Sequence, residues 1–81
     1  GLLHAIKNRF QIVFAYTKYW DGKSTQRAVS PYALKEYRNR WYLLAMDLND
    51  SKLKTFGLDR ITNLEITTRP FKMPDNFDVE N

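Results

Sequence analysis

The sequence predicts a mainly β fold: a small five-stranded barrel of the Sm-like or SH3-like kind, carrying a short N-terminal helix. Three observations point there. Beyond residue 9 the chain is built of short segments rich in β-branched and aromatic residues. Tight turn signals separate them, and only antiparallel neighbours can be joined so briefly. Pro31 interrupts the longest segment, where it marks an edge, a bulge or a bend, and a long bent strand suits a small closed barrel. An OB-fold is the nearest alternative, but it needs a helix between the third and fourth strands, for which there is no room.

The elements follow in order. In residues 2–9, Leu2, Leu3 and Ile6 fall on one helical face, with Lys7 and Arg9 toward the end where the helix dipole favours cations. So short a helix is marginal alone and must lean on the barrel. Residues 10–20 form the first strand, with Ile12, Phe14 and Tyr16 on one face and Val13, Ala15 and Thr17 on the other. Asp21-Gly22 turns the chain, and the return strand runs from about Thr25 to Tyr37. Arg38-Asn39-Arg40 is the next turn, Trp41 to Asp47 the third strand, and Leu48 to Ser51 a further turn. Lys52 to Leu58 is the fourth strand, residues 59–62 a single helical turn, and Leu64 to Thr67 a short last strand. In the third strand Trp41, Leu43 and Ala45 face one way and Tyr42, Leu44 and Met46 the other; pattern alone does not say which set is buried. From Arg69 the chain turns extended and polar, with Phe71 and Phe77 as isolated apolar residues. The organisation expected is a domain over residues 1–71, with its helix at about 2–9 and its barrel at about 10–68. A tail over 72–81 then reads as the start of a link to a C-terminal region.

Composition narrows the function. With 81 residues the core is thin, and a 15% aromatic content is what lets it bury enough. There is no cysteine, so neither a disulfide frame nor a thiolate metal site is available, which fits a reducing, cytoplasmic setting. No stretch reaches the length of a membrane span. Net charge is +4, and residues 1–72 hold all thirteen basic groups against six acidic ones, a net +7. A body so charged favours polyanionic partners. Catalytic signatures are missing: His4 is the only histidine, no glycine-rich phosphate loop exists, and Asp47-x-x-Asp50 lacks the further ligands of a cation loop. Neither an enzyme nor a cofactor nor a metal is expected.

Trp41-Tyr42-Leu43, together with Ala5-Ile6, Phe14-x-Tyr16, Arg27-x-Val29-x-Pro31-Tyr32-x-Leu34, Phe56-x-Leu58-Asp59-Arg60-Ile61 and a following Phe71, resembles the WYL domain family. The resemblance runs from about Leu2 to Phe71. It implies an Sm-like SH3 barrel that senses a negatively charged ligand, or single-stranded nucleic acid, within a bacterial transcriptional regulator. It also implies a helix-turn-helix DNA-binding domain elsewhere in the full-length chain. No such segment lies within these residues, which reads as a domain excised from a longer regulator, with a free-standing protein as the alternative.

Candidate ligand-binding residues follow from charge and from aromatic character. Arg60 leads, because a guanidinium held on a tight turn presents a rigid fork of donors to phosphate or carboxylate, and the family motif places an arginine there. The competing reading is an ion pair with Asp59 or Asp47 that pins the turn. Arg27 is second; Arg38 and Arg40 bracket a hairpin tip, where solubility explains them equally well. Tyr16, Tyr32 and Tyr42 carry hydroxyls within reach of an anion, although core packing with its hydroxyl at the rim suits Tyr42 better. Trp41 is a stacking candidate, as are Tyr19 and Trp20, for which packing over the barrel mouth is the equal alternative. Exposed strand edges also leave room for a homodimer or another protein partner, and an interaction module without a small ligand is the alternative function.

Overall fold

The computed structural model describes residues 1–18 and 21–74. Its elements are α1 (Leu2–Asn8), β1 (Phe10–Thr17), β2 (Ser24–Tyr37), β3 (Arg40–Asp47), β4 (Lys52–Gly57), a 3-10 turn over Leu58–Arg60, and β5 (Ile61–Pro70). All ladders are antiparallel, and the strands lie in the order β4-β3-β2-β1-β5.

Core contacts show that this sheet is rolled. In a flat sheet β1 and β4 would stand three strand spacings apart, about 14 Å. Yet the Phe14 and Phe56 rings meet edge-on at 5.3 Å, and Tyr16 meets Phe56 at 5.1 Å. The core inside the roll is Ile12, Phe14, Val29, Leu43, Ala45 and Phe56, with Ala5 of α1 closing one side and Leu2 and Ile6 packed against it. Burial of each large side chain contributes about 1.5–3 kcal/mol, so these few residues carry much of the stability. The expected closed barrel is corrected in one respect. No backbone ladder joins β4 to β5 among the described residues, so the sheet stays open along that seam.

The buried face of β3 is settled. Leu43, Ala45 and Asp47 point inward and are buried; Tyr42, Leu44 and Met46 lie half-buried on the other face. Trp41 has the inward parity, but at the strand's first turn it stays 51% exposed.

Turn chemistry explains where strands end. Gly22 adopts a φ of 66°, which glycine tolerates without strain, and its N–H donates to the Lys18 carbonyl. Tyr19 and Trp20, at the same tip, lie outside the described residues, as does the tail from residue 75. The β2–β3 loop is two residues long, with Arg38 and Asn39 at φ 51° and 65°, the left-handed pair whose twist matches a hairpin. In the β3–β4 turn the Asp47 carboxylate accepts from the Asn49 N–H at 2.9 Å, and its carbonyl accepts from the Ser51 N–H at 2.8 Å.

Of the alternatives for Pro31 the bulge is the one found: the residue lies on a central strand rather than an edge, and the register slips between Pro31 and Ala33, leaving Tyr32 as the extra residue. One sequence expectation shifts. The last strand is longer than residues 64–67. β5 pairs with β1 from Ile61 opposite Tyr16 to Pro70 opposite Phe10. Its polar, mostly exposed residues give little alternation, because one of its edges is unpaired and little of it is buried. Phe71 then donates its N–H to the Arg9 carbonyl at 2.8 Å, tying the chain after β5 to the end of α1.

Candidate functional site

The open seam ends in a cleft. β3 begins where β4 stops, since Tyr42 is the register partner of Gly57 and Leu44 that of Thr55. The 3-10 turn leaves from Gly57 at the same end. Between them opens a hollow of about 700 Å³, a size that suits a small organic ligand. Arg40, Trp41 and Tyr42 line it from the start of β3, with Asn39 from the preceding turn. Thr55 and Gly57 contribute from β4, Leu58, Asp59 and Arg60 from the 3-10 turn, and Tyr16 from β1.

Gly57 shapes this cleft by what it lacks. Its φ of −69° is ordinary, so the glycine is needed for space rather than for conformation. A β-carbon there would stand 3.0 Å from the Asp59 Oδ1 and 3.9 Å from both the Tyr16 hydroxyl and Tyr42 Cε1. Without one, a carboxylate and two phenol rings converge on a bare stretch of backbone. The Gly57 N–H donates to the Tyr16 hydroxyl at 3.2 Å, so the phenol spans the seam that no ladder closes. Tyr16 is held for this by edge-on contacts with Phe14 and Phe56.

Chemically the cleft is mixed. Arg40 and Arg60 bring two permanent positive charges, Asp59 one carboxylate, and Trp41 an exposed indole. Among the described residues no group of three or more His, Cys, Asp or Glu could hold a metal ion. No helix of the described residues is long and apolar enough to cross a membrane.

The WYL domain family model matches residues 1–66. The chain belongs to the WYL domain family. Among solved structures it is similar to proteasome accessory factor B/C (PafBC) of Arthrobacter aurescens, at 28% identity and a TM-score of 0.79. That match covers 85% of this chain and 11% of PafBC, so the WYL domain corresponds to a small part of that protein.

In this WYL domain the family's tripeptide is divided between two tasks. Leu43 is fully buried in the core, while Trp41 and Tyr42, on opposite faces of β3, both reach the cleft because the strand starts at the seam. Five of the residues nominated from sequence meet in the cleft: Arg60, Arg40, Trp41, Tyr42 and Tyr16. Three lie elsewhere. Arg38, on the hairpin turn, places its guanidinium over the Tyr37 ring at 5.2 Å. Tyr32 is buried at the bulge, its hydroxyl 3.8 Å from the Met46 sulfur and its ring tilted against Phe71 at 5.8 Å; burial raises its pKa. Arg27 belongs to a charge cluster. Its Nη1 lies 3.1 Å from Asp47 Oδ2, its Nε donates to Thr25 Oγ1, and its guanidinium stands over Phe56 at 5.9 Å.

The same Asp47 oxygen meets Lys54 Nζ at 3.0 Å, and Lys54 also pairs with Asp50 at 2.8 Å. Two cations thus balance two carboxylates, so the smaller hollow beside them, about 390 Å³, offers no net charge from that cluster to an anion. The alternative reading of Arg60 as Asp47's partner also changes here, because Arg27 and Lys54 occupy that carboxylate.

Asn39, Thr55, Gly57, Leu58 and Asp59 were not nominated from sequence. Gly57 did carry a signal: a glycine ending a strand just before a tight turn marks close backbone approach.

Proposed function

We propose that this WYL domain is the ligand-sensing module of a bacterial transcriptional regulator. The seam cleft takes an anionic ligand or a short stretch of single-stranded nucleic acid. The observation that carries this reading is the convergence of Arg40, Arg60 and the half-exposed Trp41 on one cleft of about 700 Å³. Guanidinium groups hold phosphate oxygens through charge-assisted hydrogen bonds, and an exposed indole offers a base a stacking platform. Because the cleft lies between β3 and the turn that leads to β5, an occupant would stiffen the seam, which gives the domain a way to pass on occupancy. In the full-length chain a helix-turn-helix DNA-binding domain would receive that signal, in a cytoplasmic setting. No catalytic step is assigned to the cleft.

The test is a titration of fluorescein-labelled oligothymidylate at low and moderate salt. Binding should weaken steeply with salt, and Arg40→Ala should lower the slope of log K against log salt by about 0.7, one phosphate contact on a single strand. Trp41→Ala should cost about 1–3 kcal/mol through lost stacking. No binding at low salt would remove the nucleic-acid version, leaving small anions to be tried with inorganic phosphate as the probe.

A second reading rests on the seam itself. β4 and β5 each leave one edge unpaired among the described residues, and such edges can pair with another copy of the chain. Sedimentation decides it: a monomer at high concentration sinks the dimer.

A further inference from the structure

Within the proposed cleft one side chain opposes the reading of a simple anion site. Asp59 puts a carboxylate among the two arginines, and like charge repels a phosphate. Among the described residues no hydrogen bond or ion pair engages it. Asp59 is exposed to solvent, with its Oδ1 leaning over Gly57 in the niche that the missing β-carbon leaves open. A carboxylate only accepts hydrogen bonds, and its two oxygens suit two parallel donors. The ligand that satisfies the whole cleft therefore carries an anionic group, a planar ring and a pair of adjacent donors.

Of the nucleobases, guanine alone offers two adjacent donors on one edge, N1–H and the N2 amino group. Adenine and cytosine each present one amino group there beside an acceptor, and thymine or uracil a lone imide N–H. Guanine's next edge carries O6 and N7, the acceptors that an arginine fork grips. Asp59 and Arg60 are neighbours on the same turn, and both line the cleft.

We infer that the cleft selects guanine, with Asp59 as the residue that reads the base. The inference rests on the proposed function and deepens it: a guanine nucleotide, free or within a single strand, has its ring at Trp41, its N1–H and N2 amino group on the Asp59 carboxylate, and its phosphate on an arginine.

The experiment displaces fluorescein-labelled oligothymidylate from the domain at low salt with GMP, AMP, CMP, UMP and xanthosine monophosphate. Wild type should favour GMP about ten-fold over the other four, toward the low end for a bidentate pair because the cleft is open to water. Asp59→Asn keeps an acceptor but turns the second acceptor into a donor. It should abolish the preference for GMP and move it to xanthosine monophosphate, whose ring has a carbonyl in place of the N2 amino group.

A variant that merely loosens the turn weakens all five nucleotides together and leaves their ranking intact. Equal competition by all five on wild type, or an unchanged ranking in Asp59→Asn, overturns guanine reading and leaves Asp59 as a residue that seats the turn. In that case the oligonucleotide still binds and the proposed function stands. Failure of the labelled oligonucleotide to bind at all removes the nucleic-acid version of the proposed function and guanine reading with it, leaving only the small-anion version, tried with inorganic phosphate.

Discussion

Asp47 illustrates how far a single residue can depart from its sequence context. Its side chain is 2% exposed, and burial by itself would raise its pKa. The Asn49 N–H, Lys54 and Arg27 outweigh burial and hold it below the ordinary carboxylate value. Asp50 is lowered as well, chiefly by Lys54. Groups whose pKa falls on folding stabilise the native state above their unfolded pKa, about 4, and lose that contribution as pH drops through the folded value. The urea midpoint should therefore be flat from pH 7 to about 5 and fall below about 4. Lys54 works in the opposite sense: Asp50 and then Asp47 raise its pKa, so its contribution is present below its unfolded value and fades as alkaline pH passes the folded one.

Asp47→Asn should cost about 2–3 kcal/mol, just under the range for breaking a fully buried pair, because Arg27 and Lys54 keep partial access to water. It should also blunt the acid limb of the urea curve; an unchanged limb would mean that other carboxylates govern acid unfolding. None of this was legible in the spacing of residues 27, 47 and 54. Arg27 meets Asp47 because Val29 pairs with Asp47 across the sheet, placing Arg27 one step further along the same face. That register belongs to the folded ladder and cannot be read from the sequence.

At the level of elements, sequence reading succeeded where local chemistry decides and failed where long-range pairing does. Asp21-Gly22 and the hairpin at residues 38–40 were readable as turns because backbone preference is a local property. β5 was underestimated because an edge strand with little burial has no alternation to read. Its partner β1, which supplies Ile12 and Phe14 to the core, was found at once. The turns also hold unrealised stability. Arg9 caps α1 at φ 60° and Arg38 sits in the β2–β3 loop at φ 51°, where a side chain with a β-carbon is strained by about 1–2 kcal/mol. Glycine at the helix cap and asparagine in the first loop position are the residues these geometries prefer. Arg9→Gly and Arg38→Asn should each stabilise the domain by about 0.5–1 kcal/mol, seen as a rise of a few degrees in melting temperature. Arg38→Asn also removes the guanidinium over Tyr37, so a fall in melting temperature there would show that this stacking outweighs the backbone strain.

For the whole molecule, the open seam joins architecture to function. Two-residue periodicity told which side chains share a face; it could not tell that the β4–β5 ladder would be missing, since pairing partners leave no trace in the alternation of either strand. The aromatic cluster does the closing instead. Phe14, Tyr16 and Phe56 meet edge-on across the gap, and the Tyr16 hydroxyl accepts the Gly57 N–H at 3.2 Å, the polar contact that links β1 to the end of β4. The sequence did place Tyr16 among the candidates for an anion site. The structure gives its oxygen a backbone donor, which leaves the hydroxyl proton available toward the cleft. Tyr16→Phe keeps the ring packing and removes the hydroxyl, and with it the acceptor for the Gly57 N–H. Leaving a partly buried N–H without its partner should cost about 1–2 kcal/mol. The Gly57 amide should then exchange with deuterium roughly 5–30-fold faster, if opening of the seam limits its exchange. Tyr42→Phe is the control: Tyr42 lines the same cleft but does not accept from Gly57, so exchange at Gly57 should stay at the wild-type rate. If Tyr16→Phe leaves that rate unchanged too, the seam is held by ring packing alone, and an occupant of the cleft would have to act through Phe56 rather than through the phenol.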